Sequence, residues 1–192
     1  MAKSTKWVLA ESLRKLLTEK SFDKITVVDI VKDSGINRQT FYYHFKDIYD
    51  LVEWIFEEEN MKELKEKVGY RTWEQGYWQI LNYIKENKQF VKSIYYSSGR
   101  EILTRFMYDV AYSFLLNSIN EQAGVFEVRK EDKEFIANFY KHGFVGLILD
   151  WIAGGMKEEP QRIVERLSVL IHGDIIKALK RFQVNKKLDI EL

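Results

Sequence analysis

Residues 26–46 read TVVDIVKDSGINRQTFYYHFK, and the run encodes two short helices with a tight corner between them. Thr26 is a favourable N-cap, and Asp29 three positions later can answer it in a capping box. Val27, Ile30 and Val31 then share one helical face. Gly35 falls where the chain must turn sharply, a place suited to positive φ, and Ile36 can tuck beneath the turn. Asn37 caps the helix that follows. The pattern is a helix-turn-helix.

The second helix declares its orientation. With Phe41 as the inward direction and about 100° of rotation per residue, Phe45 falls near the same side and the two form a buried stripe. Gln39 and Tyr43 then point outward, with Thr40 and Tyr42 on the flanks. Glu and Lys would be expected on a merely solvated surface. Gln and Thr instead offer hydrogen bonds to base edges, and Tyr hydroxyls suit phosphate oxygens. This composition favours a face that touches double-stranded DNA over an ordinary two-helix corner.

From about residue 8 to 56 the chain resembles the DNA-binding domain of the TetR family of bacterial transcriptional regulators. The resemblance rests on Thr26 and on the run DIVKDSGINRQTFYYHFKDIYDL through Leu51. It implies an all-α chain of about nine helices. A three-helix helix-turn-helix DNA-binding domain would occupy 1–47, and a helical effector-binding and dimerisation domain 48–192. It further implies a homodimer on a palindromic operator, acting by family habit as a repressor. Gln39, Thr40 and Tyr43 would then face the major groove, with base readout from Gln39 and Thr40. Thr26, Tyr42, Tyr43 and Lys46 would grip the backbone, Thr26 from a helix N-terminus. His44 belongs to the same motif, where packing or hydrogen bonding suits it at least as well as a DNA contact.

The 192 residues can bury a substantial core. At 46% hydrophobic and 31% charged the chain reads as soluble and globular, and its single proline favours long helices. The lack of cysteine excludes disulfides, thiolate metal sites and a cysteine nucleophile, and suits a reducing compartment. No apolar run is long enough to span a bilayer and no signal peptide opens the chain, so a cytoplasmic protein with no membrane partner is expected. A net charge of +1 looks small for a DNA-binder until it is divided. Residues 1–46 hold nine Lys/Arg against five Asp/Glu, and residues 47–67 hold three against eight. A basic head beside an acidic neighbour keeps a local electrostatic footprint. The excess is modest, so affinity has to come from two heads on one site.

Outward from the motif, Leu9, Leu13, Leu16 and Leu17 mark a first helix capped by Ser4 or Thr5. Lys3 and Lys6 on it either reach phosphates or are simply solvated, and Phe22 closes its end. Asp47 and Asp50 suggest a capping box for a fourth helix from about 48 to 67, striped by Leu51, Val52, Ile55 and Phe56 and ended by Gly69. Thr72 caps the next helix, Asn87 breaks it, and Ser97, Ser98 and Gly99 form a further break. A helix from about 101 to 119 follows. Residues 120–130 read as a polar, mobile connection.

The helix at about 131–154 is the most apolar of the chain. Helices at about 131–154 and 160–182 are apolar over more than one face, with Pro160 in the first turn of the second. Small Ala137, Gly143, Gly146 and Ala153 permit close approach of another helix. A four-helix seam between two subunits is the economical reading, and the resembling family dimerises there. The run FVGLILDWIAGGMKEEP at 144–160 also resembles a TetR subgroup that includes regulators of dihydroxyacetone kinase genes. That resemblance leaves the effector open between a small molecule and a partner protein, and the partner-dependent alternative admits an activator.

Trp78, Tyr95, Phe106 and His142 are the candidate contacts for a ligand pocket. Aromatics at helical spacing are more often plain core, and His142 suits an interface as well. No Gly-rich phosphate loop, nucleophile elbow or His-x-x-x-His spacing occurs, and His44, His142 and His172 lie on separate helices. Neither catalysis nor a cofactor nor a metal site is expected.

Overall fold

The computed structural model of the chain describes residues 4–58 and 73–183. Its helices are α1 (Thr5–Glu19), α2 (Val27–Ser34), α3 (Arg38–His44), α4 (Ile48–Phe56), α5 (Trp73–Glu86), α6 (Lys88–Tyr95), α7 (Arg100–Gln122), α8 (Lys130–Ala153), α9 (Pro160–Ile171) and α10 (Asp174–Arg181). Short 3-10 turns cover Phe22–Lys24 and Ala123–Val125. The all-α class is as the sequence implied. The expected far half of the fourth helix, its Gly69 end and the Thr72 cap lie outside the described residues.

Residues 4–58 with 84–106 form one compact unit. The leucine stripe of α1 is its floor: Leu9, Leu13, Leu16 and Leu17 are buried, together with Ile30, Phe41, Leu51 and Val52. Ser12 is buried among them and donates to the Ile30 carbonyl at 3.1 Å, which satisfies its hydroxyl and pins α1 to α2. Phe56 stacks on Phe106 with centroids 5.0 Å apart and meets Phe90 at 5.3 Å. The turn after α6 is tied to the head by polar bonds. Asp23 accepts from the N–H and hydroxyl of Ser98, and the Tyr49 and Ser98 hydroxyls lie 2.9 Å apart. Those two donors hold the Asp23 carboxyl below its usual range, the Ser98 hydroxyl contributing most.

Residues 73–83 with 107–183 form a second compact unit. Its core is a nest of Trp73, Tyr77, Phe114 and Phe144, in which Tyr77 and Phe144 meet edge to face at 4.8 Å. The fully buried Tyr77 hydroxyl donates to the Phe144 carbonyl at 3.0 Å, and burial pushes its phenol well above the ordinary value. Ile148, Ile152, Val164, Leu167, Ile175 and Leu179 continue the core along α8, α9 and α10.

Three expectations change here. The single helix at 160–182 is two helices, because Gly173 adopts φ 71 between α9 and α10, a conformation outside the helical region. The connection at 120–130 is anchored rather than loose. Helix α7 runs on to Gln122, Ala123 and Val128 are buried, and Val128 makes an isolated antiparallel bridge to Gln183. Asp50 answers the Asp47 cap, but its carboxylate takes the Lys46 N–H (2.8 Å) while Asp47 takes the Asp50 N–H (2.9 Å). The double glycine proves to be a helix-ending turn. Gly155 and Met156 both have positive φ, the Met156 N–H reaches the Trp151 carbonyl, and the buried Trp151 indole donates to the Glu158 carbonyl at 2.9 Å.

Candidate nucleic-acid interface

Local rules build the face. At the start of α2 the Thr26 hydroxyl accepts the Asp29 N–H at 3.3 Å, and the Asp29 carboxylate takes the Thr26 N–H and O–H at 2.8 Å each. Lys20 pairs with the same carboxylate at 2.9 Å. That ammonium, followed by the two Thr26 donors, lowers the Asp29 carboxyl to about 2. A hydroxyl has one proton to donate, and Thr26 already gives it to Asp29. What this helix start offers an anion is therefore its first-turn N–H groups other than those of Thr26 and Asp29, which the capping box already uses.

Gly35 turns the chain at φ 69, and Asn37 caps α3 by accepting the Thr40 N–H at 2.8 Å. Phe41 is wholly buried and Phe45 nearly so, which aims the rest of α3 outward. Tyr43 is 84% exposed and Tyr42 46%, Gln39 is exposed and Thr40 half-buried. The exposed face of α3 carries no carboxylate, so nothing on the helix repels a phosphate. His44 is half-buried with its ring 4.9 Å from that of Tyr43. Lys46 leaves the end of α3 with its backbone bonded to Asp50 and its side chain exposed. Lys6 is half-buried with its ammonium 5.4 Å from the Phe45 ring and 5.5 Å from that of Trp54. Lys3 lies outside the described residues.

Sequence reading passed over Arg38. Rotation puts it about 60° from Phe41, toward the buried side, yet the long side chain reaches out and is exposed. Its Nη2 donates to the Tyr42 hydroxyl at 3.3 Å, and its guanidinium carbon lies 5.5 Å from the Tyr42 ring centroid. The i, i+4 spacing of Arg and Tyr behind a cap was the available signal.

The candidate ligand contacts fall in two units. Tyr95 and Phe106 are core of the first: the Tyr95 hydroxyl accepts from Arg100 at 3.1 Å and Phe106 stacks on Phe56. Trp78 and His142 belong to the second. Trp78 is 43% exposed, and His142 is exposed with its ring 5.1 Å from Tyr108. An open groove of about 490 Å³ that the sequence did not suggest runs between α8 and α10, lined by Phe135, Phe139, Tyr140, Lys177, Arg181 and Phe182 among others. No helix among the described residues is long and apolar enough to cross a membrane.

Comparison with known proteins agrees with this geometry. Residues 10–55 match the family described as bacterial regulatory proteins, tetR family. Residues 71–173, more than half of the chain, match one described as transcriptional regulator C-terminal region. A curated relative, the HTH-type dhaKLM operon transcriptional activator DhaS of Lactococcus lactis subsp. lactis (strain IL1403), is 30% identical over 91 residues. That match covers 47% of this chain and 49% of the relative, so it spans about half the length of either. Among solved structures, the dihydroxyacetone kinase operon activator DhaS superposes with a TM-score of 0.70 at 22% identity, covering 93% of this chain and 98% of that one. The TetR family repressor AlkX from Dietzia sp. strain DQ12-45-1b, implicated in biodegradation of n-alkanes, gives 0.57 at 14% identity over 90% and 98%. With the helix-turn-helix matched by one family description and more than half of the chain by the other, the protein belongs to the TetR family of bacterial transcriptional regulators.

Proposed function

We propose that the chain works in the cytoplasm as a homodimer that binds palindromic double-stranded DNA and represses transcription. Residues 1–47 serve as the DNA-binding domain, and residues 48–192 take the effector and hold the dimer. Gln39 and Thr40 read bases, while Thr26 at its helix start, Tyr42, Tyr43 and Lys46 contact the backbone. The observation that carries this reading is the outer face of α3, where Tyr43 is 84% exposed directly behind the fully buried Phe41. Tyr43 shares that exposed face with Gln39 and Tyr42, whose amide and hydroxyl groups suit base edges and phosphate oxygens.

The dimer has its own support. Phe135 (61% exposed), Phe139 (68%) and Leu147 (44%) follow one another along the outer face of α8, and Val169 and Leu170 stand out from α9. Buried Ile136, Phe144, Val145 and Ile148 already fill the inner face of α8. A Cβ added at Gly143 or Gly146 would meet nothing within 4 Å, so there is room for a second helix. Exposed apolar side chains on α8 and α9 beside small residues suit a self-complementary contact.

The test is fluorescence anisotropy of the purified protein on its own upstream intergenic DNA against a scrambled duplex, near physiological salt. A preference of about a hundredfold or more, lost in Gln39→Ala, is expected. Equal binding to both duplexes would count against the proposal. The printed description of the relative DhaS as an activator favours a second reading, in which a partner protein turns the DNA-bound dimer into an activator. A reporter behind the same intergenic DNA separates the two: deleting the regulator raises expression if it represses and lowers it if it activates.

A further inference from the structure

We propose that Arg38, oriented by Tyr42, is a base-reading side chain of this regulator and selects guanine in the major groove. The proposal rests on the DNA-binding reading of α3 and adds to it one residue and the base that residue takes. Arg38 is the first residue of α3, and the N-terminal residues of a recognition helix are the ones that meet base edges. Being first also keeps its side chain clear of a preceding helical turn.

Several other cations in the unit of Arg38 are held by carboxylates. Lys15 is paired with Asp33, Lys20 with Asp29 and Arg105 with Glu53. Among the described residues no carboxylate pairs with Arg38; its neighbour is a neutral phenol, bonded at 3.3 Å with the ring 5.5 Å from the guanidinium carbon. The phenol fixes the direction of the fork and uses one of its five N–H donors, leaving its charge uncancelled. A planar fork with two parallel donors matches O6 and N7 of guanine, the commonest specific contact of arginine with DNA. Phosphate oxygens can take the same fork, so what marks a base contact is a loss confined to one base position. Asn37, the cap of the helix, already has its side-chain oxygen on the Thr40 N–H.

The experiment enriches binding sequences from a pool of randomised duplexes with the wild-type chain, Arg38→Ala, Arg38→Lys and Tyr42→Phe. Affinities are then measured on the enriched duplex and on its single-base variants. Both altered side chains are exposed, and far-UV circular dichroism confirms that the variants fold. The wild type is expected to enrich a two-fold motif with a guanine at one position of each half-site. Arg38→Ala and Arg38→Lys should both lose discrimination at that position by about ten- to a hundredfold, with the rest of the motif kept. Tyr42→Phe should lose part of it. If Arg38→Ala weakens every duplex alike, the residue is a phosphate contact and the assignment is overturned, whether or not Arg38→Lys restores binding. A Tyr42→Phe protein with undiminished discrimination overturns the orienting role of the phenol. A wild-type chain that enriches no sequence overturns the DNA-binding reading itself, and it does so without any variant.

Discussion

Lys46 and Gln39 are both exposed, yet they offer DNA different chemistry. On the proposed interface an ammonium beyond the end of α3 would meet phosphate oxygens that are the same in every sequence, whereas an amide on its outer face could distinguish one base edge from another. Lys46→Ala is expected to weaken binding to all duplexes and reduce the salt dependence by about one phosphate contact. Gln39→Ala is expected to change the ranking among operator variants. Titrations of both mutants over an operator series at several salt concentrations check this, and parallel losses would refute the division of roles. Asp29 makes a separate prediction. Lys20 and Thr26 lower its carboxyl from 3.8 to about 2, so its bonds stabilise the fold fully above the ordinary value and are lost as pH falls toward the folded one. In Asp29→Asn, which cannot titrate, the urea midpoint should fall less than in the wild type between about pH 5 and pH 2. Asp23 and Asp33 are lowered too, by Ser98 and Lys15 respectively, so part of the acid sensitivity should remain.

At the level of elements, the glycines divide into those that hold a contact and those that leave one open. A Cβ at Gly76 on α5 would lie 3.0 Å from Cγ and 3.1 Å from Cβ of Phe114 on α7, in the middle of the aromatic nest. Phe114 is 3% exposed and has nowhere to retreat. Gly76→Ala should therefore destabilise by about 1 kcal/mol, the overpacking cost exceeding the gain in helix propensity. Gly146→Ala meets no such neighbour. It should stabilise α8 by roughly 0.5–1 kcal/mol and, if a second helix packs there, weaken self-association. Chemical denaturation and sedimentation of a dilution series report the two effects separately. The elements legible in advance were those with local punctuation: the Thr26–Asp29 box, the Gly35 turn and the Asn37 cap each depend on residues within four positions. The break at Gly173 and the anchored connection around Val128 were not legible. Val128 is held by Gln183 and by burial, and neither leaves a local pattern.

For the whole molecule, the proposed dimer would cover the exposed Phe135, Phe139 and Leu147 of α8 and bring two heads to one site. Phe139→Glu puts a charge into that stripe, and a carboxylate desolvated without a partner opposes assembly. The variant is expected to sediment as a monomer, with affinity for a palindromic duplex reduced by about a hundredfold or more because the two heads are no longer linked. Its affinity for a half-site duplex should be unchanged. A Phe139→Glu protein that stays dimeric would remove α8 from the interface.

The sequence by itself determined the helix-turn-helix and the direction in which α3 faces, because caps, a turn glycine and a 3.6-residue apolar period are all encoded within a few positions, and the family resemblance of that motif implied the all-α class. It also separated the basic head from the acidic stretch behind it. Tertiary structure alone decided how the aromatic residues are used. Phe106 became core against Phe56, Trp78 stayed half in water, and Phe135 and Phe139 were left outside. Each is an aromatic ring on a helix, and the neighbours that fold against it from distant parts of the chain distinguish a buried ring from an exposed one. The same holds for Arg38, whose exposure and bond to Tyr42 depend on side-chain reach rather than on helical angle.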